Sequence, residues 1–287
     1  MSSTAAQPSE RQRSGGMWTM QRVARTASTN ADVSVLAQDG APEGTAVVAD
    51  HQTSGRGRLE RTWQTPAGTS LTVSFLLRPD DVPVNRWPWL PLLAGVAVVD
   101  AIGDLMDIEA GLKWPNDVLV GDRKLAGILV ERVETPDGAA AVVGIGLNIR
   151  QRDEELPEGG TSLRLQVGAD TPPPARDALL DALCDRLAER YLAWRRSAAG
   201  PASAPASPPG TDASTTTGTS SAGEQPLREA YRDRCVTLGR RVGVELPGRQ
   251  RVEGSAVDVD HDGRLLVDTG AGVEAFGAGE IVHLRPL

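Results

Sequence analysis

Two short runs of this chain carry residue types suited to chemistry on anions. The first, Gln52-Thr-Ser-Gly-Arg-Gly-Arg58, sets two guanidinium groups among glycines and is followed by Arg61 and Trp63. A guanidinium fork grips carboxylate or phosphate oxygens two at a time, and glycine lets backbone N–H groups align on the same anion. The second run, Lys113-Trp-Pro-Asn-Asp117, leads into Lys124-Leu-Ala-Gly127. Lys113 stands between Leu112 and Trp114 in an otherwise apolar stretch. An ammonium turned inward there needs an anionic partner. Taken together, the runs point to adenylate chemistry.

The surrounding pattern shows how such groups would be held. Thr45–Asp50 reads as a buried strand entering the arginine loop and Ser70–Leu77 as a strand leaving it, so the loop is tethered at one end of a sheet. That tether argues against a solvated Arg-Gly segment, the common fate of such strings in polar low complexity. Ser28 or Thr29 is a suitable cap for a helix beginning there, with Asp32 in the first turn. Trp89 to Met106 has helical apolar spacing. Short strands are expected at 112–114, 118–120, 125–130 and 140–149, with turns at 115–117 and 121–122. A second helix is expected over about 175–196, its inner face formed by Leu180, Leu183, Leu187, Tyr191 and Trp194. Gly144-Ile-Gly146 lacks the third glycine and the helix start of a dinucleotide fingerprint, which leaves a close-packed strand with Asn148 exposed at its end. Trp114 is expected in the core, and Trp63 either in the core or stacked on adenine.

Composition bounds the function. A chain of 287 residues, 40% of them hydrophobic, can bury one substantial core and a smaller second one. Its net charge of -8 argues against non-specific binding to nucleic acid. Cys184 and Cys235 match no zinc or CxxC spacing, and with three histidines no protein-built metal site is expected. No secretory or membrane-spanning run is recognisable, so a cytoplasmic location is expected, with no membrane partner. The domain reading is a disordered tail at 1–23, a catalytic domain at 24–196, a low-complexity flexible insert at 197–224 and a small β-barrel at 225–287.

With those residues laid out, the chain resembles the biotin protein ligases. The resemblance runs through Ser28-Thr-Asn30, Gln52 with Gly55-Arg-Gly-Arg58, Lys113-Trp-Pro-Asn-Asp117, Lys124-Leu-Ala-Gly-Ile-Leu129 and Gly144-Ile-Gly-Leu-Asn148, five blocks in order across residues 24–196. It implies an α+β fold: a class II aminoacyl-tRNA synthetase-like catalytic domain, a mixed sheet with helices, followed by an SH3-like β-barrel. It also implies ATP and biotin as substrates with Mg2+ bound to the nucleotide, biotinyl-5′-AMP as intermediate, and a biotin carboxyl carrier protein or carboxylase domain as partner. Biotin contacts carry over to Ser28, Thr29, Asn30, Gln52, Arg56, Gly57, Arg58 and Lys113, catalytic roles to Arg58 and Lys113, and nucleotide contacts to Arg61, Trp63 and Asn148. The chain is expected to be a monomer or a homodimer.

Two rivals stay open at this level, a lipoate-type acyl ligase and a non-catalytic biotin sensor or scaffold. Residues 1–27 are mostly polar and fewer than the roughly 50 that a folded domain needs, so an N-terminal DNA-binding domain is not expected. The chain departs from the family's loop at Leu59-Glu60-Arg61, where a second glycine is usual; Glu60 is expected to pair weakly with Arg61.

Overall fold

The computed structural model describes residues 9–14, 16–58, 61–168, 171–198, 225–246, 251–277 and 280–283. Strand β1 (Ser9–Ser14) pairs with β2 (Trp18–Thr26), and β2 runs parallel to β3 (Thr45–Gln52). A hairpin of two-residue strands follows, β4 (Gly55–Arg56) and β5 (Thr62–Trp63), then β6 (Ser70–Leu77). Strands β7 (Ala110–Lys113), β8 (Asp117–Val120), β9 (Arg123–Thr135) and β10 (Gly138–Asn148) complete an eight-stranded sheet of order β1-β2-β3-β6-β10-β9-β8-β7. Except for β2 and β3, its neighbours are antiparallel.

Both faces of this sheet are covered, which explains why its central strands read as continuous apolar runs. Side chains alternate across a strand. Val47, Leu76, Ala140 and Val142 meet Val33 and Ala37 of α1 (Thr29–Gln38) on one face. Ala46, Val48, Phe75, Ala141 and Val143 face the main core on the other, with α2 (Trp89–Gly103) and α3 (Arg176–Ala198). Helix α2 is apolar around nearly its whole circumference because it is enclosed by the sheet and α3. The five expected inner residues of α3, Leu180 to Trp194, are all buried.

The expected disordered tail at 1–23 requires correction. Trp18 and Met20, 2% and 0% exposed, alternate into the core, and Trp18 donates from Nε1 to Cys184 O at 2.8 Å and lies against Phe75. This burial outweighs the polar residues between them. Residues 1–8 and 15 lie outside the described residues, as does nearly all of the 197–224 insert, whose first two positions finish α3.

Helix α4 (Gln225–Arg234) leads into a second sheet of β11 (Arg241–Glu245), β12 (Arg251–Val259), β13 (Leu265–Asp268), β14 (Val273–Phe276) and β15 (Glu280–His283), antiparallel in the order β14-β13-β12-β11-β15. Two tryptophans, Trp89 at the start of α2 and Trp114 just after β7, fasten it to the larger domain. Trp89 donates to His261 O at 2.8 Å and Trp114 to Gly263 O at 3.1 Å, both on the β12–β13 turn. Gly263 has a φ of +80°, and a Cβ there would come within 3.1 Å of the Pro88 backbone.

Candidate active site

A cavity of about 320 Å3 opens where α1, the β4–β5 hairpin, the β7–β8 turn and strands β9 and β10 converge. Its wall includes Ser28, Thr29, Asn30, Gln52, Arg56, Gly57, Arg58, Arg61, Trp63 and Lys113. Of the residues singled out in the sequence, Asn148 is the exception. Its amide is buried at 3% exposure, donating to Thr161 O and accepting from Gln151 Nε2, each at 2.9 Å, so the expected exposed strand end is a closed structural junction.

Helix α1 starts as its sequence requires, with the Ser28 hydroxyl accepting from Ala31 N at 3.4 Å. The cap leaves Thr29 and Asn30 in the first turn against the sheet. Gln52 Oε1 accepts from the Thr29 backbone N–H at 2.8 Å and from its hydroxyl at 3.0 Å. Ser74, a residue the sequence reading passed over, places its hydroxyl 2.7 Å from Thr29 Oγ1 and 2.6 Å from Asn30 Oδ1. These buried polar groups form an uncharged, donor-and-acceptor surface.

The arginine loop is a hairpin folded over the cavity. Gly57 N donates to Arg61 O at 2.6 Å across it, while Leu59 and Glu60 fall outside the described residues. Only glycine fits at 55, where a Cβ would stand 2.3 Å from Trp63 O. Arg56 is exposed and pairs with Glu131 at 3.1 Å. Arg58 is half-buried and donates to Asn116 Oδ1 at 3.3 Å, while Asn116 donates to Ile128 O at 2.9 Å. Asn116, which the sequence placed in the turn after Lys113 without a role of its own, therefore links the arginine loop to the run that carries Lys113.

Glycines shape the rest of the wall. A Cβ on Gly144 would lie 2.1 Å from Asn30 Oδ1, and one on Gly146 would lie 2.5 Å from the Trp63 indole. Trp63 thus lines the cavity, and its buried Nε1–H finds no acceptor among the described residues. Trp114, 2% exposed, is core as expected. Lys124 pairs with Asp117 at 2.6 Å and lies 5.8 Å from the Trp63 ring centroid.

The smaller sheet reaches the site too, since Ile281 lines the cavity. His283 lies near Lys113, and burial, aided by the charges of Lys113 and Arg240, pushes its imidazole down to about 4. Arg240 can only donate, so His283 Nδ1 accepts from it at 3.3 Å and the protonated Nε2 donates to Thr237 Oγ1 at 3.2 Å, a neutral tautomer. Among the described residues, the one cluster with metal-ligand geometry is Asp260, His261 and Asp262 on the β12–β13 turn, outside the cavity wall.

Comparison with known proteins fits this geometry. Residues 22–148 match the model of the biotin/lipoate A/B protein ligase family and residues 237–284 that of the biotin protein ligase C terminal domain. The biotin--[acetyl-CoA-carboxylase] ligase of Mycobacterium tuberculosis is 40% identical over 267 residues, spanning 92% of this chain and 88% of that one. The chain belongs to the biotin protein ligase family. The bifunctional ligase/repressor BirA of Bacillus subtilis is 44% identical over 132 residues, 46% of this chain and 40% of BirA. Among solved structures, the biotin protein ligase from Aquifex aeolicus in complex with biotin and ATP superposes with a TM-score of 0.72 at 26% identity, covering 93% of this chain and 99% of that one. The fold is accordingly the family's α+β arrangement, a synthetase-like mixed sheet with helices followed by a small SH3-like domain. No helix among the described residues is long and apolar enough to cross a membrane.

Proposed function

We propose that this cavity activates biotin with ATP to biotinyl-5′-AMP and then delivers the biotinyl group to a lysine of a biotin carboxyl carrier protein or domain. The observation that carries this reading is the meeting of cations from two distant segments, Arg58 and Lys113, on one cavity that also holds the uncharged row Ser28, Thr29, Asn30 and Gln52. A ureido ring is neutral and offers both donors and acceptors, which hydroxyl and amide groups match. A carboxylate attacking the α-phosphorus brings two anions together, and fixed cations offset their repulsion.

In the first half-reaction a carboxylate oxygen bonds to the α-phosphorus and diphosphate leaves. Arg58 holds oxygens with its fork, and Lys113 follows the charge that develops on phosphorus. Arg56 and Gly57 complete the carboxylate side. Arg61 and Trp63 serve the nucleotide, Trp63 as a stacking surface between Gly146 and Lys124. Asn148 acts only indirectly, by fixing the end of β10. Among the described residues, Asp117 is the single carboxylate on the wall and is paired with Lys124, which suits a Mg2+ ion carried in mainly by phosphates and water. Bound there, the ion would shield phosphate charge.

In the second half-reaction the carrier's lysine amine forms a C–N bond to the acyl carbon, the acyl–phosphate C–O bond breaks and AMP leaves. The catalytic unit is proposed to begin with β1 at Ser9, which pairs with β2 in the large sheet, and to end near residue 196, with residues 225–287 assisting carrier docking or closure. Mixing the chain with labelled biotin, ATP, magnesium and a carrier domain tests the whole reading. Covalent label on the carrier that requires ATP and is not replaced by lipoate supports it; biotin binding without turnover leaves a sensor.

A further inference from the structure

Glu131 on β9 stands behind the cavity wall rather than on it. Its carboxylate accepts from Asn30 Nδ2 at 2.6 Å, and its other oxygen pairs with Arg56 at 3.1 Å. A carboxylate accepts and cannot donate. Asn30 therefore turns its NH2 toward Glu131, and toward the Leu129 carbonyl, which accepts from the same Nδ2 at a longer 3.4 Å, and its Oδ1 toward Ser74. At the far end of the same row, the Thr29 backbone N–H can only donate, which fixes Gln52 with Oε1 toward it and Nε2 away. The two amides are pinned in opposite senses. Asn30 keeps an Oδ1 lone pair for a ligand, while Gln52 keeps Nε2–H.

We propose that Glu131 is a positioning residue that fixes the hydrogen-bond sense of Asn30 and thereby the preference of the site for a cyclic urea. Such a ring presents N–H beside C=O, complementary to Oδ1 of Asn30 and Nε2–H of Gln52. The inference rests on the biotin reading above. An amide at position 131 both donates and accepts, so Glu131→Gln removes the shorter of the two constraints, leaves the 3.4 Å contact to Leu129 O, and lets Asn30 populate the turned-over state in which its own N–H meets a ligand N–H.

A double-mutant cycle on biotin affinity, measured by calorimetry without nucleotide, tests this. Glu131→Gln and Asn30→Ala are each expected to weaken biotin about tenfold, the worth of one charge-assisted hydrogen bond. The double variant is expected to bind no more weakly than Asn30→Ala alone, and KM for ATP is expected to stay constant in Glu131→Gln while KM for biotin rises. Glu131→Met, of similar volume and without an acceptor, repeats the measurement where the glutamine variant folds poorly. Multiplying losses of about a hundredfold, or wild-type affinity in Glu131→Gln, overturns the role of Glu131 while leaving biotin binding intact. Wild-type protein that binds no biotin overturns the functional reading and this inference together.

Discussion

Arg58 Nη1 and Asn116 Oδ1 are 3.3 Å apart, and through this contact the arginine loop is held to the turn that follows Lys113. Asn116 also spans to the backbone of Ile128, so its amide is fixed before it meets the guanidinium. Asn116→Ala should leave Arg58 charged but poorly placed. Adenylate formation is expected to fall about tenfold or more, since small misplacements cost heavily in a preorganised site. Single-turnover rates at saturating biotin and ATP check this, and an unchanged rate would show that Arg58 positions itself without Asn116.

Gly144 and Gly146 sit two residues apart on β10 and so point to the same face, roughly 7 Å from one another. The first lies under Asn30 and the second under Trp63. Crossed defects are expected. Gly144→Ala should raise KM for biotin at least tenfold with a smaller effect on ATP, and Gly146→Ala should do the reverse. Steady-state kinetics with each substrate varied in turn decide it; identical defects in both variants would refute separate subsites.

His283 gives stability a pH dependence whose direction follows from its burial. Its pKa is near 6.5 in an unfolded chain and about 4 here, so between those values the unfolded state binds the proton and the native state does not. Its contribution is complete above about pH 6.5 and is lost as pH falls toward 4. The denaturant midpoint should therefore drop between pH 7.5 and 5, and less so in His283→Gln. Parallel curves for both proteins would place the loss elsewhere.

The five motif blocks were legible because each concentrates rare residue types beside turn formers, and the central strands because both faces are buried. What escaped has physical reasons. Trp18 and Met20 supply β2 with only two core anchors within a polar segment, which reads as tail until β3 is present to pair with it. Among its described side chains, helix α4 buries Leu227, Ala230 and Tyr231, too few to stand out in Gln225–Arg234. Ser74 and Glu131 are ordinary strand residues in sequence, and they matter only because pairing of β10 with β6 and β9 brings them to α1. The burial of Asn148 was not legible because its partners, Gln151 and Thr161, come from the following loop.

The central claim is that Lys113 and Arg58 act together on one reacting centre. Biotin-dependent exchange of diphosphate into ATP measures the first half-reaction without any carrier. The wild type should catalyse it, and Lys113→Ala should lower the rate by about 10²–10³-fold while its unfolding midpoint stays close to wild type. Exchange at the wild-type rate in Lys113→Ala would contradict the account.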